Sequence, residues 1–462
     1  MALLPKSMKP ETISEKTGAR LRSITRALRY RNFRLFFSGQ SISLIGTWMQ
    51  SVALGWLVYR LTNSAFLLGL VGFAGQIPYF VLAPIAGVLA DRVNRRRMVI
   101  FTQTLAMVQA FILSILVLTG AIRIWEVVAL SAFLGVINSF DMPTRQSFMV
   151  QMIDDKKDLG NAIALNSSMV TGARLIGPSA AGLIIAAVGE GICFLLNGIS
   201  YIAVLISLLL MRIPRSSSEP PGANPPRQDG VWQNLREGFR YATGFEPIWD
   251  ILMLLGVAGL MGMPYLVLMP IFAKDILHGG ADSLGFLMGG AGAGAMVGAL
   301  YLASKKTVIG LGRLLPISAC IFGLGLVAFS FSRVYALSLA LMPIIGFGQM
   351  VLPASSNTLL QTIVDDDKRG RIMSFFTVAF IGLTPLGSLI GGSLASTIGA
   401  PLTVTIGGAA CVLGGLLFAR RLPVIRAKIR PIYVNMGIIP EIASGIQSAT
   451  ETTIHKENPR RG

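Results

Sequence analysis

Twelve apolar runs of about 20 residues or more constrain this chain more than any other feature it has. They fall near residues 33–60, 65–90, 98–120, 124–144, 166–188, 191–211, 248–273, 283–303, 313–332, 335–356, 374–398 and 400–419. A helical run of that length matches the hydrocarbon thickness of a bilayer. A backbone in hydrocarbon must also satisfy its own hydrogen bonds, which a helix does within one segment. The expected fold is therefore an all-α membrane protein with twelve transmembrane helices. Composition agrees, since 53% of the 462 residues are hydrophobic and 13% charged, with a mean hydropathy of +0.66. Soluble domains carry about 25% charged residues, so a water-soluble enzyme is excluded.

A polar, proline-rich stretch from Arg212 to Gly230 separates six spans from six and has the composition of a flexible linker. Trp232, Leu235 and Phe239 beyond it share one helical face, with Arg236 and Arg240 elsewhere, which predicts a short interfacial helix. The expected organisation is a polar tail 1–32, a six-helix bundle 33–211, a linker 212–246, a second bundle 247–422 and a tail 423–462. Residues 1–32 are too polar and basic for a signal peptide. The net charge of +18 arises from 40 Lys and Arg. All of these except Arg60, Arg123, Lys274, Arg333 and Arg174 lie in segments that share one side of an alternating topology. By the positive-inside rule both termini are cytoplasmic, in the plasma (inner) membrane. The basic excess is then a topology signal and a contact for membrane lipids, and no nucleic acid partner is expected.

The two halves can be laid on each other at an offset of 210 residues. Pro143, Gln151, Ile153 and Asp155 match Pro353, Gln361, Ile363 and Asp365, and Gly172, Gly177, Gly182 and Gly189 match Gly382, Gly387, Gly392 and Gly399. A duplicated six-helix unit follows, giving two pseudo-symmetric bundles. Repeats of this kind place the substrate site between the halves, near the midplane.

Between spans two and three lies Gly87-Val-Leu-Ala-Asp91-Arg92-Val-Asn-Arg95-Arg96-Arg97. Gly87 permits close helix approach, and Asp91 at a span terminus can accept from Arg92 or Arg95. The stretch resembles the loop signature of the major facilitator superfamily, with Asn94 replacing its second glycine. Asn is a residue that visits the same left-handed backbone. With the twelve spans, the repeat and the linker, the resemblance covers essentially the whole chain. Asn32 to Phe37 and Gly46 to Gln50 are in turn similar to the branch of siderophore and drug exporters. The resemblance implies the major facilitator fold, alternating access, and a cytoplasmic gate that contains Gly87, Asp91, Arg92, Arg95 and Arg96. It further implies that Asp141 and Arg145, at the end of span four, join Asp91 and Arg95 in one cluster. The alternative is a helix ended by Pro143 with solvated charges. The counterpart loop at 298–313 keeps Gly298, Lys305 and Lys306 but has no acid, so the latch is one-sided.

Span five contains Gly172-Ala-Arg174-Leu-Ile-Gly177-Pro178-Ser-Ala-Ala181-Gly182. Ala173, Gly177 and Ala181 form a small-residue face for tight packing, and Pro178 can bend the helix. The pattern, with Arg174, Gly177, Pro178 and Gly182, resembles the antiporter motif of facilitator exporters, with Ala181 replacing one glycine, and so implies export, with proton antiport as the energy source. A lone arginine in hydrocarbon costs at least about 2.5 kcal/mol, so Arg174 should face a partner or a wet cavity. The alternatives are that span five starts later, or that Arg174 snorkels and pairs with Asp141. Span four has no arginine between Ile124 and Phe140, where drug–proton exporters of the superfamily often carry one.

Candidate cavity residues are Gln40, Gln50, Asn138, Asn166, Asp250, Gln349 and Asn357, although amides also serve as interhelical bonds. Asp250 is the best remaining proton-site candidate, and its near-terminal position also suits a solvated carboxylate. Trp48, Met49, Met261, Met263, Met342 and Met350 add adaptable apolar surface suited to a large, greasy cargo. Cys193, Cys320 and Cys411 sit in apolar stretches and His278 and His455 are isolated, so no metal or disulfide is expected. No phosphate-binding loop is present, so ATP is not used, and no cofactor or catalytic constellation is visible. The expectation is a secondary active exporter of a small amphipathic or hydrophobic molecule, a monomer. A lipid or lysolipid translocator, or a non-transporting scaffold or sensor, are the alternatives.

Overall fold

The computed structural model describes residues 25–212, 231–305 and 307–437. Among these residues, twelve helices are long and apolar enough to cross a membrane. Spans one to six are Arg31–Thr62, Ala65–Arg92, Arg95–Leu118, Ile124–Val150, Leu159–Val188 and Glu190–Leu210. Spans seven to twelve are Glu246–Ile276, Ala281–Ala303, Leu311–Phe331, Tyr335–Ile363, Arg369–Ile398 and Ala400–Asn435. Hereafter the end of the bundle that carries the 92–95 loop is the basic end, and the opposite end is the far end.

Several helices run past the apolar segments that marked them, because polar residues can continue a helix into water. Span four passes through Pro143 to Val150, which removes the alternative of a helix ended by that proline. The Ser139 and Thr144 hydroxyls bond the Gly135 and Phe140 carbonyls around it, the kind of local adjustment that lets a span tolerate proline. Span five begins at Leu159, not later. Span twelve continues through the boundary expected at 422, with Ile425 and Ile429 buried. Helix Val231–Gly244 packs on the second half, with Phe239 edge-on to Trp249 at 5.8 Å and Glu237 bonded to Arg371 at 2.7 Å. The side chains of Trp232 and Leu235 lie outside the described residues, as do positions 1–24, 213–230 and 438–462.

Packing within the halves repeats. Span one packs on five and six, two on four, and three on four and six; seven packs on eleven and twelve, eight on ten, and nine on ten and twelve. The halves meet where span two crosses eleven and where span five crosses eight. A Cβ added to Gly392 would lie 2.7 Å from the Ala65 carbonyl oxygen and from the Gly69 Cα. One added to Gly182 would lie 2.7 Å from the Ala281 carbonyl oxygen and 2.9 Å from the Gly285 Cα. Gly182 and Gly392 are a matched pair in the sequence repeat, and they occupy equivalent crossings. Gly189 and Gly399, another matched pair, precede spans six and twelve at φ +84° and +86°.

Symmetry stops at local geometry. Span seven contains π turns at Ala258–Gly262 and Phe272–Ile276, and span eleven contains one at Val378–Gly382. Their counterparts, spans one and five, are α-helical throughout. The π turn at 258–262 sits on that of span eleven, where a Cβ on Gly259 would meet the Phe380 carbonyl oxygen at 2.7 Å. Such turns interrupt the hydrogen-bond ladder and commonly mark functional segments.

The Gly182–Gly285 and Gly69–Gly392 contacts lie toward the far end, and the crossing of spans five and eight continues to mid-depth, where a Cβ on Gly292 would lie 2.6 Å from the Arg174 carbonyl oxygen. At Gly172, nearer the basic end, the tip of Met296 is 4.0 Å from where a Cβ would stand, and at Gly160 nothing lies within 4 Å. Gly182→Ala and Gly392→Ala are each expected to lower the melting temperature of the detergent-solubilised protein, at a cost of about 1–3 kcal/mol from overpacking. Gly160→Ala should leave it unchanged. Equal melting for all three would show that the crossings yield without cost.

Candidate functional site

Arg174 lies halfway along the 30 residues of span five, deeper than the sequence boundary implied. It pairs with Gln349 of span ten, not with Asp141: a guanidinium N–H donates to Gln349 Oε1. The guanidinium also stands over the Trp48 ring of span one, 5.6 Å from its centre. Gln349 is buried and fixed from the other side. Its Oε1 accepts from the Tyr265 hydroxyl at 3.1 Å, and its Nε2 lies 3.0 Å from the Met263 sulfur. Spans one, five, seven and ten thus converge at one polar node that bridges the halves at mid-depth. A cation over an aromatic face gains about 0.5–2 kcal/mol depending on desolvation, which offsets part of the cost of placing Arg174 there. Gly177 and Pro178 are buried beside it. A Cβ on Gly177 would meet Trp48 Cβ at 2.5 Å, so the small residue is what allows span one, and with it Trp48, to come so close.

A second constellation occupies the basic end of the first half. Asp141 is buried, and its Oδ1 accepts from Thr102 Oγ1 at 2.8 Å and Gln103 Nε2 at 2.9 Å, while Arg145 Nε stands 3.3 Å from Oδ2. Thr102 and Gln103 were not foreseen, because a threonine and a glutamine in an apolar run carry no signal until a buried acid is found opposite them. Arg96 donates to the Leu208 and Leu209 carbonyls at 3.0 and 3.1 Å, closing the end of span six. Gly87, Asp91 and Arg92 lie on the last turns of span two, and their side chains are outside the described residues. Arg95 is half-buried at the first residue of span three.

The remaining sequence candidates separate. Gln50 is buried in an amide chain that joins spans one, three and six, donating to Gln109 at 3.1 Å and accepting from Asn197 at 2.7 Å; it does not line a cavity. Asn357 accepts from Gln361 of its own helix at 2.6 Å. Asn138 and Asn166 are half-buried. The side-chain oxygen of Gln40 is buried without a partner among the described residues, and nothing in the structure explains it. Asp250 accepts from Arg421 at 2.7 Å with its side chain 9% exposed, so it is neither solvated nor between the halves.

At the far end, Tyr59 of span one donates to Asp275 of span seven, and Lys274 donates to Asn63 at 2.8 Å. These bonds join the two halves where the glycine crossings do. Arg60 pairs with the buried Glu190 within the first half.

The profile described as transmembrane secretion effector matches residues 23–435. The chain is 25% identical over 394 residues to the staphyloferrin A transporter of Staphylococcus aureus, covering 83% of this chain and 95% of that protein. It is 24% identical over 399 residues to the enterobactin exporter EntS of Escherichia coli O1:K1, covering 86% and 92%. It is 20% identical over 380 residues to macrolide efflux protein A of Streptococcus pyogenes, covering 80% and 92%. Among solved structures, a POT family transporter in complex with 5-aminolevulinic acid superposes with a TM-score of 0.67 at 13% identity, over 86% of this chain and 96% of that one. An inward-facing, unoccupied bacterial homolog of the human lysosomal transporter Spinster superposes with a TM-score of 0.60 at 14% identity, over 87% and 97%.

Removing the Asp141 carboxylate strands the buried Gln103 amide donor, while Thr102 Oγ1 can still donate to the Val99 carbonyl at 3.0 Å. Asp141→Ala is expected to destabilise the protein by about 1–3 kcal/mol, read as a lower melting temperature. Asp141→Asn keeps an acceptor for Thr102 and Gln103 and should lose less. An Asn variant as damaged as the Ala variant would assign the effect to the Arg145 pair instead.

Proposed function

Because the chain belongs to the transmembrane secretion effector family of the major facilitator superfamily, and so is an integral membrane transporter and not an enzyme, we propose that it exports a small amphipathic or hydrophobic molecule, drug-like or siderophore-like, by alternating access coupled to protons. The observation that carries this reading is the Trp48–Arg174–Gln349–Tyr265 node. It lies at mid-depth between the halves, on the basic side of the far-end bonds and of the Gly182–Gly285 and Gly69–Gly392 contacts that hold them together. A cargo site in that position is what a two-bundle transporter requires. In this reading both termini are cytoplasmic in the plasma membrane and the basic end faces the cytoplasm. Bundles 33–211 and 247–422 rock about the node, opening the Tyr59–Asp275 end as the 92–95 loop closes.

The gate at the basic end belongs to Gly87, Asp91, Arg92, Arg95 and Arg96 with the Asp141–Arg145 pair. Asp141 is held by span three and tied to Arg145, so a charge arriving from the 92–95 loop meets an ordered acid–base pair. The similarity to exporters of a siderophore and of macrolides supports outward transport. A proton bound by a membrane acid shifts the relative stability of the two states only through a difference in its affinity for them.

Everted membrane vesicles test the reading. Supplied from outside with lipophilic dyes, siderophore-like compounds and labelled lipids in turn, they should accumulate a soluble compound, and a protonophore should abolish that accumulation. Movement of lipid alone, insensitive to protonophore, would replace exporter with lipid translocator, and loss of all transport by a folded protein would favour a scaffold or sensor. In the same vesicles Asp91→Asn should insert normally and transport poorly; full transport by a well-expressed Asp91→Asn protein removes Asp91 from the gate.

A further inference from the structure

We propose that the cargo carries an anionic group, specifically a carboxylate, and that Arg174 takes it as a two-point ligand against the Trp48 ring. The proposal rests on the reading of the node as the cargo site and adds to it the charge of what binds there. An arginine has five N–H donors and no acceptor. At Arg174 the protein supplies one neutral amide oxygen, from Gln349, and one aromatic face, from Trp48. Acids on the spans are committed elsewhere: Asp141 to Arg145, Asp250 to Arg421, Glu190 to Arg60 and Asp275 to Tyr59. Among the described residues no carboxylate stands within ion-pair distance of Arg174.

The remaining donors of Arg174 are not sealed in protein. No guanidinium nitrogen of Arg174 is among the buried polar atoms that lack a partner, and the residue is half-buried, so these donors open into accessible space. Gln349 is held by Tyr265 and Met263 with its oxygen toward Arg174, which orients the guanidinium before any ligand arrives. One edge of the planar guanidinium remains beyond the Gln349 bond, and such a fork matches a carboxylate in a two-bond arrangement. A cation without an internal counter-ion, in a site of low dielectric, attracts an anion and repels a cation. Trp48 and Met263, both half-buried, supply apolar surface around it for the rest of the molecule.

The test compares 7-methoxycoumarin-4-acetic acid, which carries a free carboxylate, with its methyl ester, which has the same rings, no charge and no carboxylate. Binding is read by fluorescence polarisation on full-length protein in phosphatidylcholine nanodiscs. The wild type should bind the carboxylate dye about tenfold tighter than the ester, the size expected of a hydrogen bond to a charged group. Arg174→Gln should erase that preference mainly by weakening the carboxylate, and Arg174→Lys should keep part of it. Absence of carboxylate binding, equal affinities in the wild type, or an Arg174→Gln protein that weakens both dyes alike would each overturn the proposal, the last assigning Arg174 to structure. The exporter reading fails separately. Protonophore-sensitive uptake of the ester into everted vesicles, without carboxylate preference or dependence on Arg174, overturns only the anion. Carboxylate-selective binding without energised uptake of either dye leaves the anion site and removes the exporter.

Discussion

Helices in hydrocarbon gain little by burying apolar surface against one another, because the lipid they leave is equally apolar. What holds them is close packing and hydrogen bonds. The whole architecture depends on that constraint. The two crossings that join the halves are made of glycines whose missing Cβ atoms bring backbone against backbone, Gly69 with Gly392 and Gly182 with Gly285. Each crossing pairs one half with the other, so the same repeat that duplicated the bundle also duplicated its means of docking. Buried amide and carboxylate networks supply the rest within the first half, through Gln109–Gln50–Asn197 and through Asp141 with Thr102 and Gln103.

The fold was largely legible from the sequence because its determinants are periodic or long. Twelve apolar runs, a polar linker and eight matched positions suffice to give two six-helix bundles. Gly182 and Gly392, and Gly189 and Gly399, serve equivalent structural roles, as their alignment implied. Helix ends were less legible, since Pro143 reads as a terminator and is accommodated by neighbouring hydroxyls. The π turns of spans seven and eleven left only the ambiguous signal of glycine and proline in apolar segments.

The site was legible in its charges and obscure in its amides. Arg174 stands out in any reading of span five, but nothing in the chain assigns Gln349 to it, 175 residues away. Gln50 and Gln349 looked alike in sequence, each a glutamine within an apolar span. One is consumed by two amides inside the first half, while the other faces an arginine across the halves. What separates them is which face of the helix each occupies in a packed bundle, and single-residue identity does not carry that. Trp48 and Met263 were recognised only as adaptable apolar surface, and Tyr265 was not singled out, because an aromatic or a methionine becomes part of a polar node only through its neighbours.

Arg174 joins two requirements that are usually met by different residues. Its bond to Gln349 ties span five to span ten, and its contact with Trp48 ties it to span one, so the same group that can receive a ligand also helps set the distance between the halves. A ligand that competes for the guanidinium would weaken the Gln349 tie, and one that leaves that edge free would strengthen the node by neutralising it. Either way the ligand would act on the states through a difference in interaction, which is the only way a bound molecule can shift a conformational equilibrium. The far-end bonds from Tyr59 to Asp275 and from Lys274 to Asn63 lie on the same two helices, spans one and seven, that bring Trp48 and Tyr265 to the node. A change in the separation of the halves at mid-depth would therefore reach Tyr59 along the unbroken α-helix of span one, while on span seven it would meet the π turn at Phe272–Ile276 that carries Lys274 and Asp275.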